Sequence, residues 1–299
     1  MKLSTRHLFV AAVLSLGLAA CAAQPGVESP APVATTPMLA GAPLDVSVPS
    51  QLPRVARPVH YDISIVPDAK ALTFAGEAGI DLELYEPSAM LTLNALDLSF
   101  ASASLTGADG KAIPLTVAVD AAAQTASFTA PAPLAPGKYR LGTSYTGMIN
   151  TQANGLFALD YPDKVTGADV RGLFTQFEAP DARRFVPSFD EPSYKATFTL
   201  SATVPADDLA VSNMPVTSET PVEGGKKKVT FQISPKMSSY LLFFATGNFE
   251  RLAAKSESGA EVGIVSPKGS GEQARFALDS LGPLLGYYSD YFGQPYPLP

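Results

Sequence analysis

Three features of the sequence predict a mainly β protein. Apolar residues recur with a period of two in short runs. Pro and Gly punctuate those runs at short intervals, and only one stretch, near the end, carries a helical period. The architecture this favours is a large antiparallel β-saddle or β-sandwich domain followed by one more strand and a helix, not a βαβ array.

The first run is His60-Tyr-Asp-Ile-Ser-Ile-Val66, with Tyr61, Ile63 and Ile65 on one face. Phe74-Ala-Gly-Glu-Ala-Gly-Ile-Asp-Leu-Glu-Leu-Tyr85 repeats the pattern with Ile80, Leu82 and Leu84. Further strands are expected at Met90–Leu93, Ala103–Thr106, Ile113–Val119, Thr125–Phe128 and Gly137–Tyr145. Ala108-Asp-Gly110 and Ala135-Pro-Gly137 supply turns between them. Strands resume at Ala196–Val204, Ala210–Ser212, Lys228–Ile233 and Tyr240–Thr246, the last almost wholly apolar and so expected to be buried on both faces. The Lys226-Lys-Lys228 run reads as a solvated hairpin end.

Ala260–Ser266 is one more strand candidate. Ser270-Gly-Glu-Gln273 has the form of a capping box, and Ala277, Leu281, Leu284, Leu285 and Tyr288 then repeat at helical spacing towards Phe292. Pro283 lies inside that stripe and is expected to kink the helix. Such a stripe needs a covering surface, and nothing after Pro299 supplies one, so the chain is expected to be the amino-terminal part of a longer protein.

Between the two strand-rich halves lies Thr175-Gln-Phe-Glu-Ala-Pro-Asp-Ala-Arg-Arg-Phe-Val-Pro-Ser-Phe-Asp-Glu-Pro192, where charge is concentrated. Its prolines forbid a long helix and a central strand alike, so a structured loop with paired charges is expected. The plain reading is an ion-paired corner that stiffens the β-domain. The sharper one starts from Gln176 and Glu178, two residues apart and on one face if extended. An amide and a carboxylate on one face suit a ligand that carries an amine.

With 46% apolar and 16% charged residues, the 299-residue chain is ample for a large core. A net charge of −7 and the lack of a basic stripe exclude a nucleic-acid partner. Lys2, Arg6 and the apolar run Leu8 to Ala20 form a secretory signal, too short to span a membrane. Leu18-Ala-Ala-Cys21 resembles the bacterial lipobox, and Cys21 is the only cysteine; a lipid anchor on Cys21 is therefore expected. Ala22 follows it where an aspartate would resemble an inner-membrane retention signal, which favours the outer membrane, facing the periplasm. The expected domain order is a signal peptide at 1–20, an Ala/Pro-rich tether at 21–55, a β-domain at 56–252 and a second unit opening at 253–299.

Taken together, Pro58-Val-His-Tyr61, Phe74-Ala-Gly-Glu77, Tyr145-Thr-Gly147, Gly155-Leu-Phe157, Thr175-Gln-Phe-Glu178 and Asp181-Ala-Arg183 stand in one order along the chain. Pro187-Ser-Phe-Asp-Glu-Pro192, Ser212-Asn-Met-Pro215, Lys236-Met-Ser-Ser-Tyr-Leu-Leu242 and Phe292-Gly-Gln-Pro-Tyr-Pro-Leu-Pro299 continue it. This series resembles the zinc aminopeptidases of the aminopeptidase N family, the gluzincins. The resemblance implies that residues 56–252 are the family's amino-terminal β-saddle and that 253–299 open a truncated α/β catalytic domain. It implies that Gln176 and Glu178 bind the α-amino group of peptide substrates with a free amino terminus. Asp181, Arg183, Asp190 and Glu191 are assigned to support of that loop.

The family's Gly-x-Met-Glu-Asn and His-Glu-x-x-His motifs do not occur in these 299 residues. Zinc is therefore expected in the full-length parent and not in this chain, which by itself is expected to be inactive. His60 is expected to be a structural histidine. Two other readings were weighed: a non-catalytic β-rich lipoprotein that binds peptides or a partner protein, and a glycan-binding sandwich.

Overall fold

The computed structural model describes residues 47–298. The expected signal peptide, Cys21 and most of the tether lie outside the described residues. In chain order the strands are β1 (Ala56–Asp68), β2 (Thr73–Leu84), β3 (Ser88–Asn94), β4 (Ser99–Thr106), β5 (Ala112–Pro114) and β6 (Thr116–Asp120). They continue with β7 (Thr125–Leu134), β8 (Gly137–Met148), β9 (Gly155–Pro162), β10 (Asp169–Gln176), β11 (Lys195–Pro205) and β12 (Leu209–Ser212). The last are β13 (Val216–Val222), β14 (Lys226–Phe231), β15 (Met237–Ser238), β16 (Phe244–Gly247), β17 (Phe249–Lys255) and β18 (Glu261–Pro267), followed by helix α1 (Arg275–Phe292). The mainly β expectation holds.

The largest sheet runs β13-β14-β11-β1-β2-β8-β4-β5, with β15 also on β11; a second sheet runs β12-β16-β10-β9, and β3-β7-β6 and β17-β18 form two smaller ones. Most pairs are antiparallel, but β1 and β11 run parallel, with Tyr61 opposite Phe198 and Ile63 opposite Leu200. The expected antiparallel architecture holds, with this one parallel pair inside it. Period two shows which face is buried, not which neighbour a strand takes.

Tyr61, Ile63 and Ile65 from β1, Ile80 and Leu82 from β2, and Leu141 and Tyr145 from β8 all point into one core. Leu91 and Leu93 of β3 and Phe128 of β7 cover it from the other side, together with Phe177, Phe185 and Phe189 of the central loop. The tyrosine ring of Tyr61 stacks on Phe198 with centroids 4.9 Å apart. Gly76 is glycine because the Tyr145 ring lies across it: a Cβ there would stand 2.5 Å from that ring.

Several expected strands come out differently. Ile113–Val119 is two strands in two sheets, split at Leu115, whose N–H turns to the Ala103 carbonyl at 3.0 Å. Tyr240–Thr246 begins as a 3-10 turn (Ser239–Leu241) and only Phe244–Gly247 is strand, with Leu241 and Phe243 exposed. It is therefore not buried on both faces. Strands β9, β10, β13, β15 and β17 had no strand expectation.

Helix α1 is continuous through Pro283. A 3-10 turn (Gly271–Ala274) precedes it, and Ser270 makes no side-chain cap. The Gly271 N–H donates instead to Glu250 Oε1 of β17 at 2.5 Å, a carboxylate at a helix start doing the capping. The helix packs on β17 and β18 through Leu278, which is buried, while Leu284, Tyr287, Tyr288, Tyr291 and Phe292 stay exposed. Among the described residues no helix is long and apolar enough to cross a membrane.

Candidate functional site

Gln176 closes β10 and Glu178 follows two residues later. Burial alternates across the strand end: Thr175 and Phe177 are buried, Gln176 and Glu178 exposed. Thr175 and Gln176 are thus the end of a strand, which corrects the expectation of a segment that is loop throughout. Both polar side chains are open to solvent, Gln176 at the strand end and Glu178 in the turn that the Asp181 N–H closes on the Phe177 carbonyl at 3.1 Å. Phe177 is the plug between them, packed on Phe185 with centroids 5.2 Å apart.

The loop beyond is held by every charge it contains except Glu178. Arg183 and Asp190 form a buried pair, Nε to Oδ2 at 3.0 Å. The Arg183 N–H also donates to Asp190 Oδ2 at 3.2 Å, Arg183 Nη1 to Gln124 Oε1 at 3.0 Å, and Ser239 Oγ to Asp190 Oδ1 at 2.6 Å. Arg184 pairs with Asp181 at 2.8 Å and with Asp97. Glu191 serves differently from the expected ion pair: its Oε1 accepts the Gln51 and Leu52 N–H groups at 2.7 and 3.1 Å, docking the segment before β1. Two tyrosines of the large sheet fasten the same loop. Tyr145 donates its hydroxyl to the Phe185 carbonyl at 3.0 Å, and the Phe189 N–H donates to Tyr61 Oη at 3.1 Å. Burial pushes both phenols well above their ordinary range.

With both arginines taken, the Gln176 and Glu178 side chains have no hydrogen-bond or ion-pair partner among the described residues. Neither Arg183 nor Arg184 pairs with Glu178. Gln176 sits at the rim of an open apolar depression of about 370 Å³ lined by Phe157, Leu159, Phe174 and Phe243. That depression adjoins a groove of about 410 Å³, walled in addition by Tyr161, Phe249 and Val265. The Gln176 amide adjoins this apolar wall, whereas Glu178 stands two residues further on and lines neither depression.

Across β10 from this site, Gln176 faces Gly155, which has φ +63° and passes so close to Arg184 that a Cβ would lie 2.9 Å from that side chain. At the other end of the β9–β10 hairpin, Asp163 closes the turn. Its Oδ1 accepts the Val165 and Thr166 N–H groups and the Thr166 hydroxyl, and its Oδ2 accepts Asn248 Nδ2 at 2.6 Å. The Thr166 N–H first, then that hydroxyl, hold the carboxyl below the usual carboxylate range. A carboxyl depressed on folding contributes stability above its unfolded value, about 3.9, and that stability is lost as pH falls through the folded value. Melting scans from pH 7 to pH 3 are expected to show Asp163→Asn below the wild type at neutral pH, with the two converging in acid. A difference independent of pH would show that the charge is not what holds the turn.

The described residues bring together no group of three His, Cys, Asp or Glu able to hold a metal ion. His60 is a satisfied structural residue: Nδ1 lies 2.8 Å from Thr197 Oγ1 and Nε2 3.1 Å from Asp62 Oδ1.

Residues 57–241 match the Peptidase M1 N-terminal domain family, the span that contains the site and both motifs around it. The chain belongs to the M1 peptidases. It is 38% identical over 275 residues to aminopeptidase N of Acetobacter pasteurianus, covering 88% of this chain and 76% of that one. It is 37% identical over 251 residues to puromycin-sensitive aminopeptidase of Caenorhabditis elegans, and 35% identical over 267 residues to aminopeptidase M1-C of Oryza sativa subsp. japonica. Of those two proteins it spans 26% and 30%, so this M1 chain is equivalent to about a quarter to a third of their length. The relatives named here are aminopeptidases, and the family expected from the motif order is the one found.

Proposed function

We propose that this chain supplies recognition of the substrate's α-amino group to an exported, lipid-anchored zinc aminopeptidase that removes amino-terminal residues from peptides. One observation carries the reading: in a loop whose other charges all have ion-pair or hydrogen-bond partners, Glu178 stands exposed and unpaired among the described residues, two residues beyond the exposed Gln176. A protonated amine would donate charge-assisted hydrogen bonds to the carboxylate and one more to the Gln176 amide oxygen. That pair marks a chain end and rejects an interior peptide bond, which carries no charge. The zinc implied by the resemblance has no ligand set among the described residues, so the part proposed for this chain is binding and orientation.

The complete enzyme is expected to release the first residue from peptides with a free amino terminus and to leave acetylated copies intact. Cleavage of both at similar rates would remove amine recognition from the account. For the address, mass spectrometry of membrane-extracted protein is expected to show acylated Cys21 as the first residue. An unmodified peptide spanning Ala20 and Cys21 in exported protein would contradict the anchor.

A further inference from the structure

Strand β10 pairs with β16 only at Leu173–Thr246 and Phe174–Ala245. At the next position the ladder gives way to a side chain. Thr175 Oγ1 accepts the Phe244 N–H at 2.8 Å and donates to the Phe244 carbonyl at 3.2 Å. On the opposite side, at the end of β12, Ser212 Oγ donates to the Phe243 carbonyl at 2.6 Å. Asn213 Oδ1 accepts the Phe243 N–H at 2.7 Å, and Asn213 Nδ2 donates to the Leu241 carbonyl at 2.8 Å. Five backbone groups of Leu241–Phe244 are thus satisfied by three side chains instead of by strands. Two motifs distant in sequence, Thr175-Gln-Phe-Glu178 and Ser212-Asn-Met-Pro215, grip one short segment between them. Phe243 of that segment lines the depression whose rim carries Gln176.

We propose that Thr175 and Asn213 are positioning residues: by clamping Leu241–Phe244 from two sides they set the direction in which Gln176 and Glu178 leave the sheet. The inference rests on the amine-recognition reading above. Thr175 is buried, and its hydroxyl is both donor and acceptor to the backbone of one residue, Phe244, so strand and segment move together. Phe177, buried next in line, fixes the other side of Gln176. Gln176 is therefore bracketed by a clamp and a plug, and Glu178 follows from the plug. Valine has the shape of threonine and neither polar function, so Thr175→Val leaves the Phe244 N–H and carbonyl without partners. Serine keeps both.

The test uses the complete enzyme and two inhibitors, a free-amine dipeptide amide and its des-amino analogue, and reads the ratio of their inhibition constants. Thr175→Val is expected to reduce that ratio about ten-fold, since misplacement by an ångström costs up to roughly a hundred-fold. Asn213→Ala is expected to reduce it about three-fold, and Thr175→Ser to restore it to within about two-fold, a rescue that fits the loss of a hydroxyl and not of packing. In a Glu178→Ala background, Thr175→Val should add nothing, because it acts through the carboxylate. Should Thr175→Val fail to fold, Asn213→Ala carries the same comparison. A ratio unchanged in Thr175→Val and Asn213→Ala while Glu178→Ala alters it would overturn the clamp and leave amine recognition standing, and so would losses that multiply in the double variant. A ratio unchanged in Glu178→Ala would remove amine recognition, and the clamp's role with it.

Discussion

Asp190→Ala is expected to destabilise the domain by about 3–5 kcal/mol, because it strands the Arg183 guanidinium in the core. The two side chains are 6% and 2% exposed, so neither charge has water to fall back on. Asp190 is also the hub of the loop: it accepts from Ser239 and from the Arg183 backbone, and its own N–H donates to Asn94 Oδ1 at 3.0 Å. For a domain of this size the loss corresponds to a melting temperature lower by about 6–20 °C. Replacing both charges together, as Asp190→Leu with Arg183→Met, is expected to cost less than Asp190→Ala alone, since no unpaired charge stays buried. Calorimetry on the three variants checks both statements. A loss below about 1 kcal/mol for Asp190→Ala would mean that Arg183 finds water or another acceptor.

Glu178→Ala is expected to do the reverse, leaving stability unchanged and lowering activity. Its carboxylate is exposed and touches no arginine, so the folded state loses no partner when it goes. In the complete enzyme the loss of a charged hydrogen bond to the substrate is about 1.5–3 kcal/mol, or roughly ten- to a hundred-fold in kcat/KM. Gln176→Ala, which removes a neutral partner, is expected to cost less, about 0.5–1.5 kcal/mol. A lowered melting temperature with unchanged kcat/KM in Glu178→Ala would return the residue to a structural role.

The exposure of Gln176 and Glu178 on either side of a buried Phe177 was legible in the sequence as a two-residue alternation. What decides function was not. Whether Glu178 is free depends on where Arg183 and Arg184 spend their charges, and they spend them on Asp190, Asp181 and Asp97, the last far away in sequence. The strands with apolar alternation, around Tyr61, Ile80 and Leu141, follow from period alone. Strand β13 is exposed along its whole length and so carries no such signal. Strands β9 and β10 hide theirs behind Asp160 and Arg171, which pair across the hairpin on its outer face. The apolar run at Tyr240–Thr246 misleads for a related reason: Asn213, Ser212 and Thr175 satisfy its backbone, so half of it needs no sheet. The helix start offered a local cap in Ser270, and Glu250 from a neighbouring strand took the place. Contacts of this kind have no period and leave no local mark.

The central claim is that Glu178 recognises a positive charge at the substrate's amino end, and the inhibition ratio in wild-type and Glu178→Ala enzyme tests it most directly. A free-amine dipeptide amide is expected to bind the wild type far more tightly than its des-amino analogue. In the variant that advantage should shrink about ten- to a hundred-fold through weaker binding of the amine alone, with the analogue unaffected. An equal weakening of both inhibitors, or an advantage that survives the substitution, would contradict the account.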